Sequence, residues 1–358
     1  MKKAYNIRRF IECLIPVTAC NLKCEYCYVI QENRRKNEMP VFKYSPETIA
    51  KGLSQKRLGG KCYISICGAG ETLLPKETLQ IVKLLLDEGH YVNITTNGTI
   101  TKRFKELEYF SKDECSRLHF AFSLHYIELM KRNLLDAFTS NVNYVKKMGC
   151  SFVVQINLCD SYEVFWHDIK QYCISNFGAP PQVAATRLEN KEMTLYTKHS
   201  FDEYYKIGSE MNSPLFDYTM KNFNVKRKEF CYAGDWSFLL NLCTGIVSKC
   251  YNQKGDQDIF ADISQPIYFE AIGHGCVCQY CINSSHFMSL GIIPDVNTPT
   301  YAELRNREEA GWYSEKMSNV LSSKLVMTNK KYSTLRKVYI DYKRKIKYSL
   351  RRKFRKEQ

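Results

Sequence analysis

The sequence predicts an α/β fold: a partial (β/α)6 TIM-like barrel, then a small cysteine-rich region, then a basic C-terminal helix. Three observations carry this prediction. Short β-rich runs alternate six times with longer helix-like runs in the first 190 residues, the pattern of right-handed βα crossovers feeding a parallel sheet. Nine of the 16 cysteines fall into two clusters. The net charge is +15, and residues 330–358 hold +11 of it, thirteen Lys or Arg against Asp341 and Glu357.

The strands are expected at 8–18, 61–67, 91–96, 117–124, 151–158 and 182–188, several rich in Val, Ile, Phe and Tyr. Between them, 45–55 opens with Ser45 before Pro46, an N-cap followed by proline in the first turn. The run 75–89 spaces Leu79, Ile81, Val82 and Leu85 as one helical face and stops at Gly89. Further helices are expected over 101–111, 140–149 and 163–176. Six units fall short of the eight of a closed barrel, so an open, curved barrel is expected, with ligands at the carboxyl ends of its strands. The expected boundaries are 1–190 for the barrel, 191–227 for a partly helical linker, 228–290 for the cysteine-rich region, 291–329 with a helix over 300–323, and 330–358 for the tail.

A hydrophobic content of 44% argues against global disorder. No apolar run reaches membrane-spanning length, so no transmembrane helix is expected. Glu12 interrupts the short apolar stretch near the N-terminus and no small-residue cleavage site follows, so no signal peptide is expected and a cytoplasmic location is. In that compartment clustered cysteines point to metal or catalysis rather than disulfides. Scattered ones such as Cys173 read as small buried hydrophobes.

The first cluster is CNLKCEYCY, with Cys20, Cys24 and Cys27 just after the first strand. Three thiolates from one loop can hold three irons of a four-iron cluster and leave the fourth open to a ligand. A structural zinc site would need a fourth ligand nearby, and none lies within ten residues. Tyr26 is placed to pack near an adenine ring. The spacing, with an aromatic residue before the last cysteine, resembles the radical S-adenosylmethionine (radical SAM) superfamily. After the second strand, CGAGETLL resembles that family's Gly-Gly-Glu motif, with Ala69 and Thr72 as departures. The resemblance implies that Gly70 and Glu71 meet the amino group of S-adenosylmethionine. Asn97, after the third strand, and Ser123, ending the fourth, are similar to positions that contact its ribose or carboxylate. His125, Asp160 and Arg187 lie near strand ends and read as substrate-binding groups, bases or ordinary structural polars.

The second cluster opens with Cys231, Gly245 and Cys250 and closes with Cys276, Cys278 and Cys281. It resembles the SPASM domain and its shorter relative, the twitch domain. The glycine predicts a hairpin between Cys231 and Cys250. The resemblance implies one auxiliary four-iron cluster on Cys231, Cys250, Cys278 and Cys281, a zinc ribbon on the same thiols being the alternative. Cys243 reads as a core-facing strand residue. Cys276 is a spare ligand or a free thiol able to give a hydrogen atom to a substrate radical, the one catalytic role assigned.

The resemblance implies two [4Fe-4S] clusters, S-adenosylmethionine, and a one-electron reductant such as flavodoxin or ferredoxin. It implies a 5′-deoxyadenosyl radical that abstracts hydrogen from a sugar or glycan carbon, in oxidation or epimerisation. A ribosomal peptide or protein side chain is the alternative substrate, and a non-catalytic iron–sulfur scaffold the alternative function. The tail spaces Ile346, Leu350 and Phe354 on one helical stripe among dense cations, which reads as peripheral contact with an anionic membrane through residues 330–358. Nucleic acid is the rival partner for such a tail and is not expected.

Overall fold

The structure, a computed structural model, describes residues 6–190, 192–251, 253, 255–274, 276, 281 and 283–354, with side chains of the last helix described to residue 346. Six parallel strands run in chain order across one sheet: β1 (Arg9–Ile15), β2 (Cys62–Gly68), β3 (Tyr91–Thr96), β4 (Leu118–Ser123), β5 (Ser151–Leu158) and β6 (Gln182–Ala185). Each pairs with the next, with Ile15 opposite Gly68 and Thr96 opposite Phe122. Most of their apolar side chains are buried, as expected for parallel strands covered on both faces.

The sheet does not stop at β1. β7 (Ser237–Asn241), from the cysteine-rich region, adds in parallel beside it, and β8 (Ile246–Ser248) and β9 (Gln257–Asp258) follow antiparallel. The sequence reading did not foresee this. The physical reason is that β1 would otherwise be an open apolar edge, and the SFLL run of β7 is buried as it covers it.

Between the strands, Ser45 accepts a hydrogen bond from Thr48 N (3.3 Å) to start the helix Pro46–Gly52. The helix Glu77–Asp87 buries Leu79, Ile81, Val82 and Leu85. Leu135–Lys147 and Trp166–Phe177 cover the later strands. The stretch 101–111 is a single turn, Thr101–Lys105, tightening into 3-10 geometry at Glu106–Tyr109. The stretch read as a linker forms the helices Phe201–Ser209 and Pro214–Asn222, and the second lays Leu215, Phe216 and Met220 beside β6.

The helix expected over 300–323 is broken into Tyr301–Arg305 and Glu315–Leu321. Between them Gly311 takes φ +64° and Trp312 is fully buried, its indole N–H donating to Phe177 O (2.9 Å). Burying that indole outweighs the lost helical turns, and Ser314 restarts the helix as a cap for Met317 N. Among the described residues no helix is long and apolar enough to cross a membrane.

Candidate functional site

The chain leaving β1 carries Cys20, Cys24 and Cys27 before the short helix Tyr28–Gln31. It runs alongside the chain leaving β2. Ala69 N donates to Ile15 O (3.2 Å), Gly70 N to Val17 O (2.5 Å) and Glu71 N to Ala19 O (3.0 Å). Glycine at 70 is what permits this approach, because a Cβ there would stand 2.2 Å from Ala19 O.

Glu71 is buried with both carboxylate oxygens engaged. Oε1 accepts from Thr96 Oγ1 (2.7 Å) and Leu73 N (2.9 Å), and Oε2 accepts from Asn97 N (2.8 Å). Burial pushes its pKa up, and the three donors pull against that. The chain leaving β3 is thereby tied to the chain leaving β2. Asn97 Nδ2 in turn donates to Asn21 Oδ1 (2.8 Å) and approaches Cys20 Sγ (3.7 Å).

Cys20, Cys24, Cys27, Tyr26, Gly70, Glu71, Asn97 and Ser123 all line one cleft of about 870 Å³. Tyr26 is held by its hydroxyl, which lies 2.7 Å from His125 Nδ1 and 3.1 Å from Tyr162 OH. Burial lowers the His125 pKa to about 4, so its ring is neutral at pH 7 and Nδ1 can accept that proton. Burial raises the Cys20 and Cys24 thiols, and the two neighbouring sulfurs raise Cys24 further. Neighbouring thiolates repel one another and gather only against concentrated positive charge, so this soft donor set fits an iron–sulfur cluster.

The second cysteine group is assembled differently. Gly245, at φ +78°, turns β7 into β8. Cys231 and Gly273 exchange backbone hydrogen bonds (3.2 and 3.0 Å), and Gln253 N donates to Cys250 O (2.9 Å). Cys231, Cys250, Cys276 and Cys281 line one apolar cavity. Burial, then the mutual proximity of the sulfurs, raises Cys231 well above the ordinary thiol range and Cys281 to about 12. Cys278 lies outside the described residues. Cys243 is buried in the β7–β8 turn, rather than on a strand, and does not line that cavity.

A third cavity adjoins both the cleft and the second thiol cavity. It shares Tyr26, Tyr28 and Asn157 with the cleft and Cys281 with the second thiol cavity. Gln155, Arg187, Asn222, Asn283, His286 and Arg305 make much of its wall polar. Behind His286 lies Glu12 of β1. His286 Nδ1 and Glu12 Oε2 stand 3.8 Å apart, both buried and neither with a hydrogen-bond partner among the described residues. Burial raises Glu12 to about 7, against weak donation from Cys67 and Ser65, and lowers His286.

Of the remaining candidates, His125 lines the cleft and Arg187 the larger cavity. Asp160 lines none of these three cavities and accepts from Thr197 Oγ1 (2.5 Å) and Lys198 N (2.8 Å), close to the Glu163–His199 pair (2.6 Å). The sequence reading missed Arg35 and Asn157 at the cleft and the Glu12–His286 pair. Two signals were present: an acid inside the apolar run of β1, and Gln155 and Asn157 two apart in the last residues of β5.

Residues 14–159 match the model of the radical SAM superfamily. Those residues form a radical SAM superfamily domain. The match begins in β1 and ends one residue past β5, taking in the radical SAM thiol loop, Glu71, Asn97 and Ser123. A stretch of 83 residues is 30% identical to a protein of Methanocaldococcus jannaschii provisionally assigned as a glycyl-radical enzyme activating enzyme; it takes in 23% of this chain and 30% of that one. Streptococcus suis SuiB, solved with its precursor peptide SuiA, superposes with a TM-score of 0.51 at 15% identity over 73% of this chain and 65% of SuiB. The enzyme anSMEcpe with bound AdoMet superposes at 0.50 and 14% identity over 70% of this chain and 79% of its own. The α/β fold of these radical SAM structures is therefore shared, beyond the residues that match the family model.

Proposed function

We propose that this protein reductively cleaves S-adenosylmethionine and directs the resulting radical at a peptide held in the cavity that adjoins both thiol groups' pockets. The observation that carries the reading is that this cavity reaches Cys281 of the second thiol group and adjoins, through Tyr26, Tyr28 and Asn157, the cleft that holds the first. A four-iron cluster on Cys20, Cys24 and Cys27, when bound beside S-adenosylmethionine and reduced, supplies a 5′-deoxyadenosyl radical. The chain's own part is positional. Gly70 and Glu71 lock the thiol loop to the sheet, Asn97 and Ser123 offer polar groups at successive strand ends, and Tyr26 walls the cleft. The β1–β6 sheet is read as the open, curved (β/α)6 barrel.

Cys231, Cys250 and Cys281 are assigned to an auxiliary cluster. Cys276 sits with them at the same cavity, which supports a ligand's role for it over that of hydrogen-atom donor. The fold likeness to SuiB, which was solved with a peptide, supports a peptide over the sugar or glycan first expected. The polar wall suits backbone amides equally well.

The test is anaerobic reconstitution with iron and sulfide, then reduction with dithionite in the presence of S-adenosylmethionine. The expected result is 5′-deoxyadenosine, released faster with unmodified peptides than with sugars. A protein that carries the cluster but yields no 5′-deoxyadenosine overturns the reading.

A further inference from the structure

The tail helix Thr334–Phe354 has two faces with different fates. One is fixed to the body. Ile340 is buried, and Asp341 accepts from His274 N (3.2 Å) and lies 2.7 Å from its Nδ1. Lys343 pairs with Glu270 (2.7 Å), Arg344 donates to Ile272 O (3.4 Å), and the Lys337 ammonium lies 5.0 Å over the Phe230 ring. The other face carries Leu335, Val338, Tyr339, Tyr342 and Ile346, which are 83%, 61%, 61%, 62% and 43% exposed. At roughly 100° per residue these five fall within an arc of about 100°, opposite Lys337 and Arg344.

Single exposed apolar side chains are ordinary; five on one stripe are a surface with a purpose. The helix sequence holds nine Lys or Arg and one acid, Asp341, which is already engaged. The stripe is therefore bordered by cations, Arg336 on one side and Lys345 on the other. Apolar residues at this spacing between cations match an anionic bilayer surface, where the stripe sinks among acyl chains and the cations meet headgroups. Nucleic acid would reward the cations but leave Leu335, Val338 and Ile346 without a partner. A second copy of the chain would set like charges against each other.

We propose that this helix lies along an anionic lipid surface on the Leu335–Ile346 stripe while its Asp341 face stays docked on the body. The stripe read from the sequence, Ile346 to Phe354, thereby extends nearly three turns toward the N-terminus. This inference does not depend on the reaction assigned above.

The experiment is flotation of the full-length, iron-loaded protein with vesicles of phosphatidylcholine containing about one third phosphatidylglycerol, against phosphatidylcholine alone. Binding to the anionic vesicles at low salt is expected. It should weaken about tenfold in the triple variant Leu335→Ser, Val338→Ser, Tyr342→Ser, and also in Lys345→Glu, with iron content and circular dichroism unchanged. These side chains are exposed, so the fold should survive. Absence of flotation overturns the proposal. So does flotation untouched by the triple variant, or a stripe-dependent dimer or RNA complex in a protein that ignores vesicles.

Discussion

The two thiol groups are built on opposite principles. Cys20, Cys24 and Cys27 span eight residues of chain, and their loop is tied to neighbouring strand ends through Gly70, Glu71 and Asn97. Cys231, Cys250, Cys276 and Cys281 are drawn from a stretch of 51 residues, the first two resting on a hairpin and two isolated bridges. In the first, the parallel sheet prepays the ordering of the ligands. In the second, loop closure must be met largely by whatever the sulfurs bind. The first should thus lose chemistry when damaged and the second should lose structure.

The strongest way to break this comparison is to remove one ligand from each group. Cys24→Ala should cut 5′-deoxyadenosine formation by roughly 10³-fold or more while the sheet and the other cluster's iron persist. Cys250→Ala should lower iron by about four per chain and open residues 231–283 to protease and hydrogen exchange, with 5′-deoxyadenosine still formed. If instead Cys24→Ala loosens its loop as much as Cys250→Ala loosens the second region, the sheet is not the organiser argued here.

The joint between the regions gives the next effect. Glu12 belongs to β1 and His286 to the short helix Ser284–Phe287, which follows Cys281 of the second thiol group. A carboxyl raised on folding from 4.5 to about 7 favours the native state fully below about pH 4.5, and that advantage fades as pH climbs through 7. The difference amounts to about 3 kcal/mol. Wild type should therefore lose up to this much stability relative to Glu12→Gln between about pH 5 and about pH 8, measured by denaturant titration of the anaerobic protein. A gap that stays constant with pH would show that Glu12 reaches water.

The uneven legibility of the sequence follows from the same contrast. Ligands at consecutive strand ends leave local marks: the tight cysteine spacing, the glycine that permits close approach, the polar residue ending each strand. Tyr26, Gly70, Glu71, Asn97 and Ser123, which the fold brings to one cleft, could be picked out by such marks. His286 carries no such mark, because its neighbour Glu12 is distant in sequence and only tertiary packing joins them. The pairing of β7 with β1 is likewise a non-local choice that strand propensity cannot express. The helix over 300–323 was misread because its periodicity is real on both sides of the break. Only the burial of Trp312 decides against continuity.

Two glycines offer the finest test of the difference. At Gly70 an added methyl meets a backbone oxygen, Ala19 O at 2.2 Å, which cannot turn aside. At Gly245 it meets Asp258 Oδ1, also at 2.2 Å, a side-chain atom that can shift, but there φ +78° adds backbone strain. Gly70→Ala should cost about 2–3 kcal/mol, as overpacking against fixed atoms does. It should also raise the KM for S-adenosylmethionine, since the thiol loop must move off the sheet. Gly245→Ala should cost about 1–2 kcal/mol, the penalty of a left-handed conformation for an L-residue, and leave that KM alone. Cluster-resolved EPR separates the cases: the first substitution should disturb only the signal that responds to S-adenosylmethionine, the second only the other. A Gly70→Ala protein with an undisturbed KM would mean that the thiol loop holds its shape without the sheet, and the contrast between the two regions would vanish.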